Sequence, residues 1–453
     1  MPSRRYEIDM NKGSILRNIL LFALPLMLSN ILQLLYNAAD TVVVGRWAGT
    51  EALSAVGATS TLSGLITNVF IGFSVGASVA VSKRYGAGDT YGLSKVAHTT
   101  IALSIVAGIA AMCIGMFFCR PLLILMETPS DIIDLAVLYM RIIFIGVPAS
   151  LVYNFGAAIL RAVGDTRRPL YILAVTGIVN VVLNLLLVIG FHMSVAGVAI
   201  ATVVANYLSA AAIIYSLMYS DAPYKIDLKK LKIRKEETKD IMSVGLPAGL
   251  QSSVFGLGNT VVQSAVNSFG TAAIAGNTAS GSIEGFVYVA MNAFYQAAMT
   301  SVGQNYGAKN ERRIYQSIKT SIICTSVVGI LLGWLSVFFA PQLLSIYIID
   351  SPAAMEVGVI RTSIVGLMYF MCGIMDVMSG ALRGLGHSKT PAICSLIGAC
   401  GFRLLWVFVV LPFNHQPWFL YLCWPISWAV VIIMHTITFF AVRKKSMQKM
   451  VEQ

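Results

Sequence analysis

The sequence predicts an all-α integral membrane protein, with twelve transmembrane helices in two six-helix lobes. The lobes are a parallel duplication about a pseudo-twofold axis along the membrane normal. Three observations carry this. The 453-residue chain is 57% hydrophobic and only 11% charged, with a mean hydropathy of +0.77, whereas about a quarter of an average soluble chain is charged. Twelve stretches reach the roughly 20 mostly apolar residues needed to span the hydrocarbon core. Finally, the chain repeats itself about 222 residues apart: Leu24-Pro25, Asn37, Tyr85-Gly86-Ala87, Leu160-Arg161, Gly164 and Pro169 return as Leu246-Pro247, Asn259, Tyr306-Gly307-Ala308, Leu382-Arg383, Gly386 and Pro391. A period this long marks two halves of one molecule rather than a solenoid.

The apolar stretches fall at 15–44, 52–81, 96–118, 131–157, 169–190, 195–219, 241–267, 272–303, 318–339, 355–380, 391–411 and 417–442. Several exceed what a bilayer needs, so tilt or protruding ends are expected. The first run is too long for the apolar core of a cleaved signal peptide. Six spans per half is an even number, so both halves enter the membrane in the same direction. The expected organisation is an N-lobe over 1–219, a basic linker over 220–240, a C-lobe over 241–442 and a basic tail over 443–453. Pro25 and Pro247 lie inside the first span of each half. Each removes a helix hydrogen bond and crowds the preceding turn, which makes a hinge or a static bend.

The net charge of +12 follows from topology. Of 32 Lys and Arg, 27 fall in the termini and in alternate loops on one side, and the opposite loops hold only Arg46 and Arg120. The positive-inside rule then places both termini in the cytoplasm of a multi-pass protein of the cell membrane. The Lys225–Lys239 run is expected to meet anionic lipid rather than nucleic acid. Seven cysteines scattered through apolar spans without a CxxC pair read as small core hydrophobes, and five isolated histidines offer no metal-ligand spacing. No cofactor is expected, and no clustered catalytic residues speak for a lipid-modifying enzyme.

Charges inside spans are expensive and each needs a reason. The acids are Asp40, Glu284 and Asp376, and the bases are Arg141, Arg361 and Arg403. Asn180 and Asn184 lie four apart on one face of the fifth span, and Thr202 descends on the sixth. With a rise of 1.5 Å per residue, Asp40, Asn184 and Thr202 share a level roughly 7–11 Å inside the outer boundary, with Asn180 one turn deeper. This oxygen-rich nest could hold Na⁺, relay a proton through Asp40, or simply glue three helices together. Glu284 and Asp376 could recognise a cationic substrate, form a second protonation site, or pair with Arg403 or another base. Arg141 and Arg361 occupy equivalent repeat positions, which favours a shared scaffold role.

Twelve spans in two repeats, the Tyr-Gly-Ala turn after the second span of each half, and Leu-Arg-Ala-Val-Gly-Asp-Thr-Arg-Arg-Pro at 160–169 together resemble the multidrug and toxic compound extrusion (MATE) family. The degenerate copy Leu-Arg-Gly-Leu-Gly-His-Ser-Lys-Thr-Pro at 382–391 extends the resemblance over essentially the whole chain. The span-1 acid at Asp40, with Asn180 and Thr202, resembles the DinF-like branch, in which Pro25 would match a proline that bends on cation binding. A second carboxylate of that family falls at Asn184, and its loss would weaken a Na⁺ site and favour proton coupling.

The resemblance implies antiport: an amphipathic, often cationic compound leaves while H⁺ or Na⁺ enters, as two lobes rock between orientations. It implies a monomer whose partners are small organic substrates, the coupling cation and membrane lipids. The expected substrate cavity takes Tyr36, Asn37 and Tyr139 from the first half. From the second it takes Glu284, Met291, Tyr295 and Asp376. The alternative is a flippase of a lipid-linked cell-envelope precursor. A major-facilitator carrier is excluded by the loop after span 2, Ser-Lys-Arg-Tyr-Gly-Ala-Gly-Asp.

Overall fold

The computed structural model describes residues 6–126 and 128–452. Arg4 and Arg5 of the basic N-terminus lie outside them, as do the side chains of Arg443, Lys444, Lys445 and Lys449. The described residues contain helices and no strand. In the first half these are α1 (Ile15–Val43), α2 (Thr50–Gly86), α3 (Thr90–Leu125), α4 (Ile133–Ala162), α5 (Arg167–Leu185) and α6 (Ser194–Met218). The second half holds α7 (Lys235–Asn267), α8 (Thr271–Gly307), α9 (Glu311–Phe338), the short α10 (Ala340–Leu344), α11 (Pro352–Leu367), α12 (Tyr369–Gly384), α13 (Lys389–Ser395), α14 (Phe402–Leu405), α15 (Pro417–Tyr421) and α16 (Cys423–Glu452).

Nine helical rods among the described residues are long and apolar enough to cross a membrane, and α11 with α12 forms a tenth, bent by 46° at its break. The two remaining expected spans are α2 and α8, both of 37 residues. α8 is rich in Gly, Ser, Thr and Asn and is largely buried, as suits a helix packed inside its own bundle rather than against lipid. π-helical turns extend α1 (Val44–Ala48) and α5 (Leu186–Gly190), and link α13 to α14 (Leu396–Gly401). The span expected over 391–411 is therefore helical throughout but not uniformly α.

The chain divides into two compact units. The first takes residues 28–249 with the N-terminal stretch up to Asp9, and the second takes 10–27 and 250–453. The divisions fall inside helices: α1 changes unit after Met27 and α7 after Gly249. In each case the change comes two residues beyond the helix's proline, Pro25 or Pro247.

In the first unit α4 packs on α2, α3 and α6. Met140, Phe144, Leu151 and Phe155 form its buried face, at the spacing of one side of a helix. The stretch 220–240 docks here instead of hanging free. Ala222, Tyr224 and Ile226 alternate into the core beside Leu93, Ala97, Leu160 and Leu217. The Asp227 N–H donates to His98 Nε2 at 3.0 Å, and the Thr99 hydroxyl donates to the Lys232 carbonyl at 3.2 Å. Averaged polarity hid a period-two apolar pattern.

The repeated loop motifs anchor this side of the unit. Tyr224 and Tyr85 donate to the two carboxylate oxygens of Glu7, at 2.7 and 3.3 Å. Burial pushes the Tyr224 hydroxyl up to about 12, with Arg168 pulling against it and Glu7 adding to it, so it stays a neutral donor. Asp165 is fully buried and accepts the backbone N–H groups of Arg167 and Arg168, both at 3.0 Å, and the Arg168 guanidinium. Gly164 turns the chain at φ +90°, and a Cβ there would stand 2.2 Å from the Ile8 carbonyl oxygen. Gly164→Ala is expected to cost more than the roughly 1–2 kcal/mol of a left-handed alanine. The result is a lower unfolding midpoint of the detergent-purified protein.

In the second unit α8 is the central helix, packed on α9, α11 and α12. Six of the seven cysteines are buried and Cys113 is exposed. Arg141 and Arg361 do not share a role: Arg141 is exposed, whereas Arg361 is buried in an ion pair. Their equivalence in the repeat reflects ancestry, not a common scaffold function.

Candidate functional site

Two polar centres are built into the spans, one in each unit. In the first, α1 supplies Asp40, α5 supplies Asn180 and Asn184, and α6 supplies Thr202. Asn184 Nδ2 donates to Asp40 Oδ1, and also to Asn180 Oδ1 at 3.3 Å. Asn180 Nδ2 reaches Thr202 Oγ1 at 3.5 Å. The Thr202 hydroxyl lies beside Asp40 and 3.0 Å from the Val198 carbonyl, and its single proton can serve either. Asn184 is fully buried, and its Oδ1 has no hydrogen-bond donor among the described residues. A buried amide oxygen without a donor, next to a carboxylate, is an acceptor-rich place for a hard cation or a proton.

Two hydroxyls extend this centre beyond the residues expected from sequence. Ser209 on α6 donates to Thr176 on α5 at 2.8 Å, and both are buried. Thr176, Asn180 and Asn184 recur every four residues on α5, so a polar seam runs between α5 and α6. That spacing was the available signal. Tyr139 faces Asp40, and Tyr36 donates to the Ala174 carbonyl at 3.2 Å with its ring filling the space that Gly177 leaves. Asn37 is exposed on α1, its carbonyl taken by Thr41.

The second unit holds an open cavity of about 440 Å³. Its wall includes Asn259 and Gln263 of α7, Asn277, Glu284 and Tyr288 of α8, Arg361 of α11, Tyr369 of α12 and Trp424 of α16. Glu284 holds Arg361 in a two-pronged pair, Oε1 accepting Nε at 2.9 Å and Oε2 accepting Nη2 at 2.8 Å. Ser280 also donates to Glu284 Oε1 at 3.1 Å, and Arg361 Nη1 donates to Asn277. Arg361 is thus the partner of Glu284, and Arg403 bonds instead to Ser427 at 3.3 Å and Asn259 at 3.0 Å.

Asp376 lies behind Tyr288, within reach of its hydroxyl and near Arg383. Arg383 in turn donates to Tyr295, and to Gln251 at 2.6 Å. Met291 is buried, its sulfur against Gly329 and Gly373. Of the residues expected to line a substrate cavity, Glu284 lines the second-unit cavity, Tyr139 faces the Asp40 centre, and Met291 is buried in the core of the second unit. Among the described residues no group of three or more His, Cys, Asp or Glu could hold a metal ion.

The MatE family model matches twice, over residues 25–186 and 247–409, so each match covers one repeat. The probable multidrug resistance protein YoeA of Bacillus subtilis is 26% identical over 98% of this chain and 97% of its own. A second B. subtilis protein, the probable multidrug resistance protein YpnP, is 28% identical over 86% and 87%. Among solved structures, an outward-facing multidrug resistance MATE transporter of the MOP superfamily superposes with a TM-score of 0.88 at 22% identity, covering 99% of both chains. The twelve helical rods, the duplicated loop motifs and this double match make the chain a multi-pass membrane protein that belongs to the MatE family, the multidrug and toxic compound extrusion transporters.

Proposed function

We propose that this protein is a cation-coupled antiporter of the cell membrane, with both termini cytoplasmic. It exports amphipathic, often cationic compounds in exchange for inward H⁺ or Na⁺. The observation that carries the reading is the Asp40 centre, where a carboxylate, two amides and a hydroxyl converge and one buried amide oxygen lacks a donor. A cation bound there neutralises Asp40 and satisfies Asn184 Oδ1. Cation occupancy biases the equilibrium between orientations by its differential affinity for them.

Pro25 and Pro247 support the rocking part of this reading. Each lies two residues before its helix passes from one unit to the other, and each interrupts the helix ladder where bending is cheapest. The α5–α6 seam from Asn184 down to Thr176 and Ser209 supplies hydroxyls and amides along which a proton or dehydrated ion can be passed. The names of the relatives, which describe multidrug resistance proteins, agree with efflux rather than with turnover of a lipid-linked precursor.

Ethidium efflux from proteoliposomes, with Na⁺ and pH gradients imposed separately, tests this reading. Efflux driven by either gradient is expected, and the effective one names the ion. No efflux under either gradient from correctly inserted protein would overturn the reading and favour a narrow-substrate carrier or flippase.

A further inference from the structure

Resting on the reading above that the protein moves organic compounds, we propose that the second-unit cavity recognises an anionic oxygen group, carboxylate or phosphate, carried on an aromatic body. This is the opposite polarity from a site for cationic drugs.

The charge count carries the inference. The only acid on the described wall is Glu284, and both its oxygens are already taken by Arg361, with Ser280 as a third donor. A cationic ligand would find no free carboxylate there. Arg403 is buried, stands behind the wall and has no carboxylate within 4.0 Å among the described residues. Two neutral acceptors, Ser427 Oγ and Asn259 Oδ1, are its hydrogen-bond partners. The remaining charges nearby are Asp376 and Arg383, and the hydrogen-bond partners of Arg383, Tyr295 and Gln251, are neutral as well. Three guanidiniums thus share this region with two carboxylates, which leaves one positive charge over, and Arg403 is the one whose partners Asn259 and Trp424 line the cavity. A buried charge with only neutral partners is costly unless a ligand supplies its counter-charge.

The donors point the same way. Arg403 fixes Asn259 by bonding to Oδ1, which leaves the Asn259 Nδ2 donor for the cavity that this residue lines. Arg361 uses three of its five N–H donors on Glu284 and Asn277. The guanidiniums of Arg361 and Arg403 flank one indole, 4.7 and 5.5 Å from the Trp424 ring centroid. Tyr288 and Tyr369 add aromatic side chains to the same wall, and about 440 Å³ suits a small ligand. The arrangement is a property of the second unit alone. Positions 222 residues after Asp40, Asn180, Asn184 and Thr202 hold Val262, Phe402, Trp406 and Trp424, so the duplicated nest has been replaced by apolar and aromatic residues.

The test uses the purified full chain and two probes with one ring system: an N-unsubstituted rhodamine with its carboxylate free, and the methyl ester, which is a cation. Fluorescence anisotropy is expected to show the free acid binding at least tenfold more tightly than the ester. Arg403→Gln should lower the acid's affinity at least tenfold and leave the ester's unchanged, while Arg403→Lys keeps most of the preference. Gly285→Leu, which fills open space on the wall, should weaken both probes and does not depend on Arg403→Gln folding. An ester that binds wild type as well as the acid does, or an acid affinity unmoved in monodisperse Arg403→Gln, overturns the proposal. Gradient-driven ethidium efflux, measured on the same preparation, separates the two readings. Efflux without an acid preference sinks this inference alone, and an acid preference without efflux sinks the exporter reading alone.

Discussion

Asp40→Asn is expected to lower gradient-driven export at least tenfold in a protein that still folds. The substitution keeps the shape of the side chain and its ability to meet Asn184 and Thr202, so the contacts among α1, α5 and α6 survive. What it removes is the single carboxylate of that centre, and with it the counter-charge for a bound cation and the group that can carry a proton. Asn184 and Asn180 cannot replace it, because an amide neither ionises nor titrates. The check is ethidium efflux in proteoliposomes beside the unfolding midpoint. Lost efflux with a midpoint within a few degrees of wild type is the expected result. Efflux at the wild-type rate would turn attention to Asp376.

Arg361→Met is expected to be the most destabilising single change in the second unit. It leaves Glu284 buried with Ser280 as its hydrogen-bond donor and takes the donor from Asn277 Oδ1. Removing one partner of a buried ion pair costs about 3–5 kcal/mol, because the other charge is stranded. Replacing both members is far cheaper, so Arg361→Met with Glu284→Gln should regain most of the loss. Thermal unfolding of the detergent-purified variants checks both. A single variant as stable as wild type would show that the pair carries little of this unit's stability.

Much of the fold was legible because lipid is a demanding solvent. A span must be long, apolar and helical, so the stretches at 15–44 or 96–118 declare themselves. The Asp40 centre was legible for a related reason: polar groups in spans are few, and helix rise alone puts Asp40, Asn184 and Thr202 at one level. The seam through Thr176 and Ser209 needed only one more turn of the same reasoning. The pairing of Glu284 with Arg361 was not legible, since 77 residues separate them and only the packing of α8 on α11 brings them together. The docking of residues 220–240 was concealed because Tyr224 and Ile226 sit among charges that dominate any average. The passage of α1 and α7 between units, just past Pro25 and Pro247, has no signature in hydropathy at all.

The most direct test of the central claim is whether substrate and cation move in exchange. Proteoliposomes loaded with a pH-sensitive dye, and in parallel with a Na⁺-sensitive one, are given an ethidium gradient and no ion gradient. Movement of H⁺ or Na⁺ against the direction of ethidium, present in wild type and absent in Asp40→Asn, is the predicted result. Ethidium movement with no counter-movement of either ion, or counter-movement that survives Asp40→Asn, would contradict it.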